Sequence, residues 1–274
     1  MKNYKSRILK SFNTRASSYD KYSLIQKEVS LRIIEKLKFI KISPKNILDL
    51  GCGTGYLSLL LKKLYPNAHI TCLDFSPEML YHCKLKEPEF ETICADIEDL
   101  PFKTSKYDII ISSLTLHWCK ETEKIFYDIY KILNKNGIFI FTTVGPDTLS
   151  ELKETYKLID DKEHINIFND MHIYGDLLLN TGFDNPVMDV EKIVMEYSNV
   201  QNVFNSIKKI GANTIINSHG GKITKSMYRK IIDLYPKTEK MTYPVTYEVI
   251  YGTSWKKIKK PDKKSPNFIE IKKI

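Results

Sequence analysis

The sequence predicts an α/β fold: a doubly wound, seven-stranded, mostly parallel sheet with helices on both faces and a helical lid or insertion over the strand ends. Three observations predict it. The apolar run Asn46-Ile47-Leu48-Asp49-Leu50 breaks into Gly51-Cys52-Gly53-Thr54-Gly55 and resumes as the helix-forming Tyr56-Leu57-Ser58-Leu59-Leu60-Leu61, which reads as strand, glycine turn, helix. Tyr107-Asp108-Ile109-Ile110-Ile111-Ser112-Ser113 is a nearly unbroken apolar strand of the kind buried on both sheet faces. Between and after these runs, strand and helix patterns alternate without an internal repeat.

Taken in order, residues 1–22 contain Phe12-x-x-x-Ala16-x-x-Tyr19-Asp20, and an amphipathic helix follows from Leu24 to Leu37 with Ile25, Val29, Ile33 and Leu37 on one face. In the glycine turn, backbone must adopt positive φ or lie bare against a ligand, with amides converging on a helix N-terminus. The third glycine comes too early for a dinucleotide fingerprint, and Asp49 would repel a pyrophosphate. An amine or a sulfonium would meet no such repulsion. Ala68–Leu73 is the second strand, and Asp74 at its end is placed to hold both hydroxyls of a ribose. Ser76, Pro77 and Glu78 then supply a cap, a first-turn proline and a first-turn acid for a helix carrying Met79.

Glu91–Ala95 is the third strand, leading to Asp96-Ile97-Glu98-Asp99, of which Asp96 is the expected ligand-facing acid and Glu98 and Asp99 solvated loop charges. The strand 107–113 ends in Leu114-Thr115-Leu116-His117-Trp118, beyond a carboxyl end where open α/β sheets bind ligands. His117 reads either as a base or as a structural ring against Trp118. A helix from Glu121 to Leu133 stops at Asn136-Gly137 before strand Ile138–Thr143. Residues 147–183 read as mostly helical, followed by strands Val187–Tyr197 and Val245–Gly252. The 45 residues between these strands, 198–242, carry helical periodicity at Val203–Ile210 and Lys225–Leu234. The expected organisation is one domain over residues 1–255, with lid helices in 1–40 and a basic tail over 256–274.

With 42% hydrophobic and 27% charged residues the chain has the composition of a soluble globular protein. No apolar run is long enough to span a membrane, and the first residues do not read as a secretory leader. Five cysteines without a C-x-x-C pair, and six histidines without ligand spacing, suggest free thiols in a reducing cytoplasm and no metal site. The net charge of +9 is concentrated in the tail, where eight lysines face only Asp262 and Glu270. No aromatic-basic module accompanies it, so nucleic acid is not the expected partner.

The glycine motif with Asp49, Gly51, Gly53, Gly55 and Asp74 resembles the class I (Rossmann-like) methyltransferases that use S-adenosylmethionine. That resemblance implies cofactor contacts at those residues and at Phe75, Met79, Asp96, Ile97 and Leu114. Within the superfamily, Phe12–Tyr19, Lys208-Lys209-Ile210-Gly211-Ala212-Asn213 and Tyr243-Pro244-Val245-Thr246-Tyr247 look like the malonyl-acyl carrier protein methyltransferases of biotin synthesis. The likeness runs from Phe12 to about Tyr251 and implies an acidic acyl carrier protein with a malonyl thioester as partner. Lys208, Lys209, Lys222, Lys225, Arg229 and Lys230 are the candidate docking charges, or else a solvated face.

One departure is Ile167, where the resembling enzymes tend to carry arginine. If that arginine grips the substrate carboxylate, Arg15, with Tyr19 as donor, is the expected replacement. Ser112–Trp118, Asp147-Thr148-Leu149 and Gly252–Lys256 also look similar to complex I assembly factors that act on a protein arginine, the alternative function. A non-catalytic binding scaffold is the third possibility, against which the intact motif acids and glycines argue.

Overall fold

The computed structural model describes residues 3–211 and 224–256. Two helices lead the chain, α1 (Asn3–Tyr22) and α2 (Leu24–Lys38). The expected face of α2 is the buried one: Ile25, Val29, Ile33 and Leu37 pack inward. Then come β1 (Asn46–Leu50), α3 (Tyr56–Leu64), β2 (His69–Asp74), α4 (Pro77–Lys86), β3 (Glu91–Cys94) and β4 (Tyr107–Ser113). A short 3-10 turn (Leu116–Trp118) precedes α5 (Thr122–Ile132), β5 (Leu133–Val144), α6 (Ser150–Lys157), α7 (Met171–Thr181) and β6 (Asp184–Tyr197). The described chain ends with α8 (Val200–Lys209), α9 (Lys225–Leu234) and β7 (Tyr243–Trp255).

The seven strands form one sheet in the order β3-β2-β1-β4-β5-β7-β6. The first five of these pair in parallel, and β7 runs antiparallel to both neighbours. Successive residues of a strand point to opposite faces, so each parallel strand feeds two cores. Ile47, Ile109, Ile111 and Ile138 pack with Val29 and Leu61 on one side, and Leu48, Ile110, Phe139 and Phe141 pack with Phe126 and Leu178 on the other. Because the chain order reverses between β1 and β4, their carboxyl ends open a crevice at the switch point.

Two expectations need correction. The helix before β5 stops at Ile132, and Asn136-Gly137 lies inside the strand as a left-handed irregularity with Asn136 at φ 63°. The antiparallel partner holds it there: Asn136 N–H donates to Lys256 O at 2.7 Å and Lys256 N–H to Gly137 O at 3.0 Å. Residues 147–183 are also less helical than expected. Only α6 and α7 form, separated by a non-helical stretch that Asp170 ends by capping α7 through His172 N–H at 2.9 Å. Ala212, Asn213, Lys222 and residues 257–274 lie outside the described residues.

Candidate active site

The glycine turn departs from β1 with Gly51, Gly53 and Gly55 at φ 75°, 53° and 79°. The three are not equivalent. A Cβ on Gly51 would lie 2.3 Å from Thr115 Oγ1, and one on Gly55 would lie 2.5 Å from Cys83 Sγ. Gly51 is therefore fixed by the turn after β4 and Gly55 by α4. A Cβ on Gly53 would meet nothing closer than the Tyr19 ring at 4.0 Å, so its bare face is open to a ligand.

Asp74 ties the turn to α4. Its carboxylate accepts from Gly53 N–H at 2.9 Å and from Ser76 N–H at 2.8 Å, while Ser76 Oγ caps α4 by accepting from Met79 N–H. Burial pushes the Asp74 carboxyl up to about 6 against these hydrogen bonds, and pushes Asp49, whose partner is the Ser58 hydroxyl at 2.6 Å, up to about 7. Two buried acids that are costly to ionise favour a ligand bringing hydroxyl donors and positive charge.

Three clefts meet here. The first, about 750 Å³, is lined by Gly51, Gly53, Asp74, Phe75, Met79, Asp96, Ile97 and Leu114 together with Lys5, Phe12 and Trp118. The second, about 660 Å³, is lined by aromatic and aliphatic side chains with Gln26, His117, Thr148 and Asn166 among them. The third lies behind the glycine turn and is lined by Asp49, Gly51, Gly53, Ser23, Gln26 and Ser113. Tyr19 borders all three, and Phe12, Leu114 and Trp118 separate the first from the second.

Most residues assigned to the cofactor by resemblance thus share one chamber. Asp49 does not; it lines the third cleft, behind the glycine turn. Gly55 lines none of the three, because it is packed beneath α4. Arg15 lines none of them either, whereas Tyr19 sits at their junction. Arg15 lies one helical turn before Tyr19 on α1, and of the two only the Tyr19 ring reaches the glycine turn.

Electrostatics at the junction are mostly neutral. Burial, then the nearby Asp74 and Asp20 charges, pushes the Tyr19 hydroxyl up, keeping it a protonated donor. Burial pushes His117 down to about 3, so its imidazole is uncharged at neutral pH. Its ring is held by Trp118 and Phe168, with centroids 5.0 and 5.9 Å away. A ring so hard to protonate is a poor base, and among the described residues no carboxylate is bonded to its Nδ1.

Several functional contacts had no signal in the sequence. Phe12 stands edge-on to Phe75 and to Trp118, with centroids 6.2 and 5.7 Å away, walling the chamber. Lys5 bonds both Asp96 and Glu98. Glu98 is not a solvated loop charge: it also accepts from Lys120 N–H at 2.5 Å and Glu121 N–H at 3.0 Å at the start of α5. Asp20 joins α1 to the turn through the Thr54 hydroxyl at 2.6 Å and Lys86 at 2.5 Å. The fold also gathers the sulfur atoms of Cys52, Cys72 and Cys83 to within 4.8 Å of one another, from a turn, a strand and a helix far apart in sequence.

A methyltransferase domain family matches residues 48–141, the span from β1 to β5. Among solved structures, the Bacillus subtilis YcgJ protein superposes with a TM-score of 0.58 at 15% identity, covering 84% of this chain and 99% of that one. A Haemonchus contortus phosphoethanolamine N-methyltransferase 2, solved with S-adenosylhomocysteine, gives a TM-score of 0.52 at 19% identity, over 84% of this chain and 53% of that one. These establish the fold. Closer in sequence are the malonyl-(acyl-carrier protein) O-methyltransferases of Laribacter hongkongensis, 37% identical over 95% of this chain and 92% of that protein, and of Gallionella capsiferriformans, 35% over 92% and 91%. A biotin biosynthesis bifunctional protein of Saccharophagus degradans is 31% identical over 90% of this chain and 46% of its own length. With relatives above 30% identical matched over more than nine-tenths of its length, the chain belongs to the malonyl-(acyl-carrier protein) O-methyltransferase family.

Proposed function

We propose that the chain transfers a methyl group from S-adenosylmethionine to the free carboxylate of malonyl-acyl carrier protein, giving the methyl ester that starts pimeloyl assembly for biotin. The observation that carries this reading is the junction of two chambers at Tyr19, Phe12, Leu114 and Trp118 in a chain 37% identical to such an enzyme. One chamber suits an adenosyl ligand, and the other, lined mostly by apolar side chains, an acyl arm.

S-adenosylmethionine, when bound, supplies an electrophilic methyl on a sulfonium. Asp74 and Asp96 would hold its ribose and adenine, Phe75 and Met79 would flank the base, and Gly53 would let it lie against main chain. Phe12 and Trp118 exclude water at the junction. The acceptor needs no base, since a carboxyl group titrates near pH ~4 and arrives ionised. This matches an uncharged His117 without a carboxylate partner. What remains for the protein is positioning, and holding the reactants in line supplies roughly 7–11 kcal/mol in favourable cases.

The acidic carrier needs a basic surface near the second cleft. Lys208 on α8 and Lys225, Arg229 and Lys230 on α9 are exposed and supply candidate charges, and α8 borders the second cleft through Ile207. Lys209 is partly committed, donating to the Tyr22 hydroxyl at 2.8 Å. Incubation with methyl-labelled cofactor and either malonyl-carrier or a respiratory-chain subunit tests the reading. Base-labile label on the malonyl group is the expected result, and label-free malonyl-carrier in the presence of cofactor-binding protein would overturn it.

A further inference from the structure

Among the described residues, five buried side-chain polar atoms have no hydrogen-bond partner, and two of them, Gln26 Oε1 and His117 Nδ1, belong to side chains lining the second cleft. The other three, on Tyr107, Thr143 and Ser254, belong to residues that line none of the clefts. Buried polar atoms are hydrogen-bonded in the great majority of cases, so two side chains of one chamber that each keep a shielded, unpaired polar atom point to a polar ligand that they turn to meet there; Gln26 also borders the third cleft. Thr148, by contrast, is already occupied, since its hydroxyl donates to Glu248 O and accepts from Glu248 N–H.

The two side chains come from separate elements. Gln26 follows the buried Ile25 on α2. His117 is clamped between the Trp118 and Phe168 rings and takes no orientation from a hydrogen bond at Nδ1. Each can donate: a neutral imidazole carries one N–H, and a glutamine amide turned over presents its NH₂.

We propose that Gln26 and His117 form an uncharged pair that binds the acceptor's carboxylate by two N–H donors. The proposal rests on the second cleft being the malonyl site. Uncharged donors orient the carboxylate with weaker bonds than a bidentate guanidinium would make, and so leave the attacking oxygen more of its nucleophilicity. They also account for the family-type arginine being dispensable where this chain has Ile167.

The test compares Gln26→Leu, His117→Leu and His117→Asn with the unaltered protein. S-adenosylmethionine binding is measured by calorimetry, malonyl-carrier binding by titration into the S-adenosylhomocysteine complex, and methyl transfer by steady-state kinetics. Each leucine variant should lower kcat/KM for malonyl-carrier, and its affinity for the homocysteine complex, by about tenfold or more, the scale of one hydrogen bond to a charged group. Cofactor affinity should stay within about twofold, and His117→Asn, which keeps an N–H near Nδ1, should recover most of the loss. If a leucine variant does not fold, Gln26→Glu takes its place. It keeps size and sets like charge against the substrate, so it should fall further than Gln26→Leu. Leucine variants that bind cofactor and methylate malonyl-carrier like the unaltered protein would overturn the pair. So would losses fully matched by weaker cofactor binding, which would assign Gln26 and His117 to the cofactor. An unaltered protein that binds cofactor but leaves malonyl-carrier unmethylated would instead reject the acceptor reading itself.

Discussion

Lys5 Nζ is bonded to the carboxylate of Asp96, 91 residues further along the chain, so the first turn of α1 is fastened to the rim of the adenosyl chamber. The same ammonium reaches Glu98, and the two carboxylates push the Lys5 ammonium up while Glu98 is held below the usual carboxylate range against the cost of its burial. The other end of α1 is fastened through Asp20 to Thr54 and Lys86. Pinned at both ends, α1 lines the first cleft through Lys5, Ile8, Phe12 and Tyr19, and we propose that it serves as its lid.

Opening that lid at one end should be read in cofactor release. Because Lys5 and Asp96 are each about one-third exposed, the pair contributes at most ~1 kcal/mol to folding. Lys5→Ala should therefore leave the melting temperature nearly unchanged while S-adenosylhomocysteine dissociates several-fold faster in stopped flow. An unchanged dissociation rate would remove Lys5 from the lid.

The glycines of the turn should separate into two kinds. Gly51→Ala and Gly53→Ala both put a side chain at positive φ, costing roughly 1–2 kcal/mol. Gly51→Ala also drives Cβ into Thr115, so it should unfold at clearly lower denaturant concentration than Gly53→Ala. Gly53→Ala should fold yet bind cofactor at least about tenfold more weakly, since its Cβ takes the space of the ligand. Equal stability of the two proteins would contradict the packing described.

Cofactor affinity should rise with pH. Asp49 and Asp74, raised from 3.8 to about 7 and about 6, are protonated in the free protein at low pH. Relative to the unfolded chain, these raised values favour the fold at low pH, and that contribution is lost as pH rises from 3.8 through about 6 to 7. The ligand gains in the opposite direction, because ribose hydroxyls and positive charge bind the ionised acids. Calorimetry between pH 5 and 8 should show binding strengthening through 6 to 7, and Asp74→Asn should flatten that curve. A pH-independent affinity would contradict ionisation of these acids on binding.

Carrier docking should depend on Lys208 more cleanly than on Lys209. Lys208 is exposed on α8, whereas Lys209 bonds Tyr22 and lies over its ring, 4.1 Å from the centroid, joining α8 to α1. Lys208→Glu should raise KM for malonyl-carrier several-fold, with a salt dependence weaker than that of the unaltered protein, and leave cofactor affinity untouched. Lys209→Glu should disturb both. Malonyl-carrier kinetics indifferent to Lys208→Glu would place the docking surface elsewhere.

Local chemistry made much of this molecule readable in one dimension. The Ser76-Pro77-Glu78 start of α4, the apolar face of α2, the buried run of β4 and the left-handed glycines each depend on neighbours within a turn or a strand. The sequence by itself therefore determined the element order and the crevice at the ends of β1 and β4, and eight of the ten residues that the family resemblance assigned to the cofactor line the first chamber. Contacts between distant segments were decided only by tertiary structure. The chain cannot announce that Lys5 meets Asp96, that Gly55 is packed on Cys83, that Asn136-Gly137 is drawn into β5 by Lys256, or that Gln26 and His117 open on one cleft. Those pairings depend on how the sheet twists and how α1 and α2 fold back across it, and only the packed sheet sets those distances.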